Sequence, residues 1–323
     1  MAPWSPSPVA GRLGVCPDRS RCRGSVTPAI QWAVQPGDGS RVRDVLAKAR
    51  DLGAVLGGRV LLNGRRAELD DPVEPGDRVD LLPPDQPAGA RAVQILAHRD
   101  GILFAHKPAG LPTEPTPRGP DSLVSGIIEC LNGGRVHAAT RLDVAVSGVV
   151  LCTLGRDAAR RVQHWRDQGQ LHRTYVAILP GPLPATGTWE WPLGKLRDRA
   201  GRNRVSPHAQ RTRPARTKFE VKATVQGVPD GSVMSIVELN PATGRMHQLR
   251  AHAALAKAPI FGDRTYGGAR QVVDNDGRVH LLDRVALHAR RIVLPASSAE
   301  APIPNALLSL WRTLGGKDGD WDW

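Results

Sequence analysis

Acidic residues are in short supply in this chain. Its 323 residues carry 31 Asp and Glu against 44 Lys and Arg, a formal charge of +13. That deficit points to a polyanionic partner, because fixed positive charge gains free energy by releasing counterions from phosphates. Long apolar runs are missing too. None approaches the ~18 residues that suggest a membrane span, and residues 1–29 lack the apolar segment of a signal peptide. Cysteine is scarce. Cys16, Cys22, Cys130 and Cys152 show no CxxC spacing and no obvious pairing, which argues against a zinc ribbon or a disulfide framework and for reduced thiols in a cytoplasm. Tyrosine is rarest of all: Tyr175 and Tyr266 are the only two, and both fall inside motifs described below. Hydrophobic residues still make up 41%, enough for a sizeable core.

The chain divides by composition. Residues 1–28, rich in Pro, Ser and Arg, are expected to be a disordered basic leader. In residues 29–84, Val42, Val45, Leu46 and Ala49 have helical spacing. Arg59–Gly64 reads as a strand entering an Asn-Gly turn, and Arg78–Leu82 as another strand. This small unit resembles the ribosomal-protein-S-four-type RNA-binding domain, whose tail also runs GRVxxNG…PGDxV. β-Grasp folds share the order strand, helix, NG…GD.V, and the RNA-binding reading is preferred. A Pro/Gly/Ala linker at 85–92 leads to a larger domain, 93–312, and a C-terminal tail, 313–323. In the larger domain, Ile102–Ala105, Val149–Leu151, Tyr175–Leu179, Ile236–Leu239 and Arg291–Leu294 give strand signals. Met246–Lys257 reads as a helix. The Gly/Arg/Pro-rich stretch Gly194–Lys218 is expected to be a long exposed loop, either a solvated insertion or an RNA-contacting arm.

Six motifs occur in order: His106-Lys107-Pro-Ala-Gly-Leu-Pro112; Thr140-Arg141-Leu142-Asp143-Val-Ala-Val-Ser147-Gly148; Arg173-Thr174-Tyr175-Val-Ala177; Thr243-Gly244-Arg245-Met-His247-Gln248-Leu-Arg250-Ala-His252; Pro259-Ile-Phe-Gly262-Asp263 with Tyr266-Gly267; and Ala286-Leu287-His288-Ala289. His247 and Arg250, three apart, share a helix face. Lys107, Arg141 and Arg245 are candidate phosphate contacts. Gly244, just ahead of the helix, would leave backbone N–H groups open to an anion. His247, Gln248 and His252 lack a further ligand at metal spacing, so no metal is expected.

Together these motifs resemble the RluA-type family of RNA pseudouridine synthases over residues 93–296. The family usually shows HRLDxxTSG; here Thr140 stands for the His and Val146 for the Thr. The resemblance implies an α+β catalytic domain with a mixed, mainly antiparallel sheet around a central cleft. It implies that Asp143 is the catalytic carboxylate, that Arg250 pairs with it bidentately, and that Tyr175 stacks on the target base. It also implies substrate contacts from Arg141, Lys107, Arg245, His247 and Leu287. The expected activity is isomerisation of uridine in ribosomal or transfer RNA, by a cytoplasmic monomer that needs no cofactor and no membrane. A non-catalytic RNA-binding or ribosome-assembly protein on the same fold is the alternative; binding alone would require none of Asp143, Tyr175 and Arg250.

Overall fold

Val149, Val150, Leu151 and Cys152 are all fully buried. A strand buried on both faces must lie inside a sheet covered on both sides, and the fold is arranged around that requirement. The computed structural model describes residues 30–49, 60–63, 65–66, 70–81, 93–117, 119–197, 203–226, 232–273, 279–282 and 284–323. The expected leader at 1–28 and the linker at 85–92 lie outside the described residues.

The N-terminal part has strands β1 (Ile30–Ala33), β2 (Val60–Leu62), β3 (Arg65–Arg66) and β4 (Arg78–Leu81) and helix α1 (Val42–Ala49). The strands pair in the order β1-β4-β2-β3, every pair antiparallel. Asn63 takes a left-handed φ of 49° at the expected turn and accepts from the Arg78 N–H.

The larger part is built on a ten-stranded sheet. Its strands are β5 (Gln94–Arg99), β6 (Ile102–Lys107), β7 (Val136–Ala138), β8 (Ser147–Leu154), β9 (His172–Pro180), β10 (Thr186–Trp189), β14 (Thr217–Gln226), β15 (Val233–Pro241), β18 (Leu287–Leu294) and β19 (Ser297–Glu300). The main path runs β10-β14-β15-β9-β18-β8-β6-β5. All pairs are antiparallel except β18 with β8, where His288 meets Ser147 and Ala289 meets Gly148. The sheet is therefore mixed and mainly antiparallel, in an α+β domain. Helices α2 (Leu123–Cys130), α3 (Arg156–Asp167), α4 (Gln248–Leu255) and α5 (Asn305–Thr313) pack around it. The principal core cluster includes Leu103, Ile127, Val150, Ile178, Ile236 and Trp311. The second, with Phe104, Leu151 and Ile292, includes Ala158 and Val162 of α3 and fills the other face.

One expectation is revised. Gly194–Lys218 is not one long loop. Strands β11 (Leu193–Arg197), β12 (Asn203–Ser206) and β13 (Thr212–Arg213) form a small sheet in the order β12-β11-β13. Leu193, Val205 and Ala215 are buried with Ala251 of α4 and Tyr266, which anchors this basic sheet to the main domain. The segment 313–323 also packs down: Leu314 and Trp321 join the principal core, and Trp321 meets Trp311 edge-on at 6.3 Å. The short strands β16 (Gln271–Val273) and β17 (Val279–Leu281) form a separate pair.

Candidate active site

Asp143 stands just ahead of β8, in a turn closed by the Val146 N–H to its own carbonyl at 3.0 Å. A second loop, 107–113, braces that turn. The Thr113 hydroxyl donates to the Leu142 carbonyl at 3.0 Å and accepts from the Leu142 N–H at 3.1 Å. The Gly110 N–H donates to the Val144 carbonyl at 2.7 Å. Lys107 completes the brace. Its ammonium is fully buried and donates to the carbonyls of Leu111 (2.7 Å), Pro108 (3.0 Å) and Val144 (3.3 Å). The expectation that Lys107 contacts phosphate is thus overturned: its charge is spent inside the protein, holding the Asp143 loop. Behind the loop, Gly148 takes φ +125°, and a Cβ there would lie 2.2 Å from the Ala289 carbonyl oxygen. Only glycine lets β8 approach β18 this closely.

Helix α4 brings Arg250 to Asp143. Arg250 Nη1 donates to Asp143 Oδ2 at 2.9 Å. The bidentate partner of Arg250 is another carboxylate: Nε and Nη2 reach Asp263 Oδ2 and Oδ1 at 2.6 and 2.7 Å. The expected bidentate pairing with Asp143 is corrected to a single bond. Asp263 has no solvent exposure and is set by the loop after α4. The Phe261 N–H donates to the Ile178 carbonyl, and the Phe261 carbonyl accepts from the Ala286 N–H. At Gly262, φ is +79° and a Cβ would strike the Arg284 carbonyl. Burial works against the Arg250 charge, but the two hydrogen bonds and charge of Asp263, with Asp143 behind them, raise its pKa above the ordinary arginine value. Two carboxylates thus share one guanidinium. Asp143 keeps a side chain 26% exposed, and Oδ1 has no hydrogen bond among the described residues.

His247 closes the third side, with Nε2 3.7 Å from Asp143 Oδ2. It sits in the left-handed region at φ 51°, immediately before α4. Burial holds its pKa below the ordinary histidine value against the pull of Asp143. The helix therefore starts at Gln248, and Gly244 does not head it. The Gln248 amide makes four bonds: it accepts from the Thr243 hydroxyl and the Arg245 N–H, and donates to the Arg216 carbonyl and the Thr217 hydroxyl. His252 is buried and donates Nε2–H to the Trp191 carbonyl at 2.9 Å, so its Nδ1 accepts from Thr217 at 3.0 Å.

Tyr175 lies on β9, cross-strand from Leu239 and from Ala289 of β18. It is 9% exposed, and burial raises its pKa, so it is a neutral phenol at pH 7. Leu287 is 3% exposed and belongs to the same core cluster as Tyr175 and Leu142. Arg141 points outward, 73% exposed and 3.4 Å from Glu114. Arg245 donates Nε to the Pro214 carbonyl at 3.1 Å. Of the two departures from the usual motif, Thr140 caps the Leu151 N–H at 2.9 Å, and Val146 fills the core. Neither is hydrogen-bonded to the carboxylate, whose Oδ2 pairs with Arg250. The structure therefore brings Asp143, Arg250 and His247 together, adds Asp263 and Tyr266, and sets Lys107 apart as a brace.

Residues 101–255 match the family model for RNA pseudouridylate synthase. An uncharacterized RNA pseudouridine synthase of Bacillus subtilis is 33% identical over 258 residues, covering 75% of this chain and 80% of that protein. The chain belongs to the RNA pseudouridylate synthase family. The tRNA pseudouridine synthase C of Salmonella typhimurium is 32% identical over 210 residues, covering 62% of this chain and 80% of the relative. Among solved structures, human RNA pseudouridylate synthase domain containing 4 superposes with a TM-score of 0.53 at 25% identity, covering 69% of this chain and 93% of that one. As a member of this family the protein is an isomerase acting on RNA. No helix of the described residues is long and apolar enough to cross a membrane.

Proposed function

We propose that this pseudouridine synthase acts on a uridine in structured ribosomal or transfer RNA, as a cytoplasmic monomer, with Asp143 as the reacting carboxylate. One observation carries the assignment to Asp143: Oδ2 is tied to Arg250 while Oδ1 is left open, because Asp263 satisfies the rest of the guanidinium. Such a carboxylate is held in one orientation yet keeps an oxygen for chemistry. It acts at the ribose, either as a nucleophile or as a base that removes a sugar proton. The C1′–N1 bond breaks, the freed uracil turns, and C5 bonds to C1′. The proton on C5 leaves and N1 gains one, so atoms balance without redox and no cofactor enters. Tyr175 stacks on the uracil and assists the proton transfer. Arg141 and Arg245 contact the flanking phosphates, and Leu287 underlies the base. The target base must leave its stack, at a cost of a few kcal/mol, and a loop uridine costs least.

The test is to incubate RNA from cells lacking the gene with purified protein and to map pseudouridine. Wild-type protein should restore specific positions. Asp143→Asn should restore none while still binding RNA. A folded Asp143→Asn protein with full activity rejects the assignment.

A further inference from the structure

Tyr266 is 8% exposed, and its hydroxyl oxygen accepts from the Val205 N–H of β12 at 2.9 Å. The same oxygen lies 3.2 Å from His247 Nδ1. A phenol has a single hydrogen, and the oxygen is already an acceptor. The acceptor within its reach among the described residues is His247 Nδ1. If His247 Nδ1 carried the hydrogen instead, the phenol hydrogen would be stranded. The bare lone pair of Nε2 would then face the Asp143 carboxylate, an anion meeting an electron pair in a half-buried site. Both arguments select one arrangement, with Tyr266 donating to Nδ1 and Nε2 keeping the hydrogen.

We propose that Tyr266 is a positioning residue that locks His247 as the neutral Nε2–H tautomer, so that the ring presents an N–H to Asp143 Oδ2. The present 3.7 Å is longer than a hydrogen bond, and catalytic contacts commonly shorten when substrate binds. With Arg250 also on Oδ2, the N–H of His247 leaves Oδ1 as the reacting oxygen. This inference rests on Asp143 being the reacting group. The charged groups around the ring are Asp143 from the loop before β8, Arg250 on α4 and Asp263 from the following loop. Two guanidiniums also lie near the Tyr266 ring, Arg204 at 4.9 Å and Arg250 at 5.3 Å. Of the groups around His247, burial and the Arg250 charge oppose its protonation, while Asp143 and Asp263 favour it. The lock is anchored in the basic sheet, because the second bond to the Tyr266 hydroxyl comes from β12.

Ring-nitrogen NMR of the intact protein tests the lock without reference to activity. His247, assigned through a His247→Gln spectrum, should show an Nε2–H, Nδ1-acceptor signature at pH 7. An Nδ1–H signature overturns the proposal. In Tyr266→Phe the tautomer should become mixed, and the ring should become easier to protonate. Turnover should fall roughly tenfold, the scale of one hydrogen bond to a charged group, with KM little changed and a new pH dependence near neutrality. Adding Tyr266→Phe to His247→Gln should cost nothing further, because an amide has no tautomer to lock. Equal losses in the two backgrounds would show a merely structural Tyr266. If Tyr266→Phe fails to fold, the wild-type spectrum alone decides. A correct tautomer with an inert Asp143 would refute the catalytic reading and leave the lock standing.

Discussion

Substituting Asp263 by Asn separates charge from shape at the centre of the site. The side chain keeps its size, and one oxygen remains to accept from Arg250 or from the Thr265 N–H, at 3.0 Å in the native protein. The amide nitrogen must then face a guanidinium nitrogen, donor against donor. Arg250, 8% exposed, loses the carboxylate that holds two of its nitrogens. Breaking a buried ion pair on one side costs about 3–5 kcal/mol. In a domain of this size each kcal/mol moves Tm by about 2–4 °C, so the melting temperature should drop by roughly 6–20 °C. The urea midpoint should fall with the slope unchanged, since the surface exposed on unfolding is the same. Arg250 should also turn its freed nitrogens onto Asp143, quenching the carboxylate. Release of tritium from C5-labelled uridine, which reports loss of the C5 proton, should therefore drop by at least about tenfold even where the variant is folded. The double variant Arg250→Met with Asp263→Leu removes both buried charges. It should recover most of the stability but not the activity, because a hydrophobic replacement of a buried pair is often neutral. An Asp263→Asn protein within about 0.5 kcal/mol of wild type, with normal tritium release, would refute this account of the shared guanidinium.

Lys107→Ala should destabilise the protein and lower turnover while leaving the salt dependence of RNA binding unchanged, because its ammonium holds carbonyls. Arg141→Ala should do the reverse, keeping Tm and lowering the log–log salt slope by roughly 0.7–0.9; filter binding at several salt concentrations separates the two. Burial pushes the pKa of His288 down to about 3, so the folded state binds fewer protons than the unfolded one below the ordinary histidine value of 6.5. Stability should hold above pH ~6.5 and fall as pH drops toward 3, by at most about 1.4 kcal/mol per pH unit. His288→Gln should flatten that decline in urea titrations between pH 7.5 and 5, and an unchanged slope would clear His288. Removing residues 1–92 should leave a folded, active core with weaker RNA binding and a shallower salt slope. Identical slopes and identical modified positions would remove any RNA role from the N-terminal part.

Five strands of the large sheet, β6, β8, β9, β15 and β18, were legible from short apolar or alternating runs, as in Val149–Leu151 or Tyr175–Leu179, whereas β10 and β19 carry no such run. The basic sheet was not legible. Its strands are two to five residues long, and β12 buries just one of its residues, Val205, so no alternation emerges from the Gly/Arg/Pro background. Asp143 and Arg250 could be named because the motif resemblance marks them. Asp263 was passed over because it lies 13 residues from its partner, at no helical spacing. Its one local signal is a carboxylate at the end of the apolar run Pro259-Ile-Phe. Lys107 was misread because a lysine ending a strand ordinarily reaches solvent, and the three carbonyls that enclose it come from loops. The onset of α4 moved to Gln248 because His247 adopts a left-handed backbone that propensity does not foresee.

The place of β18 has a consequence for the order in which the protein can assemble during synthesis. It lies between β8 and β9, although it is made after almost every other strand of the sheet. Until residues 287–294 emerge from the ribosome, β5 to β8 form one half-sheet and β9, β10, β14 and β15 form another, each with an unpaired edge. Asp143 belongs to the first half, Tyr175 to the second. The nascent chain therefore holds the two in separate pieces, and a functioning centre arises only when one late strand is inserted as the keystone.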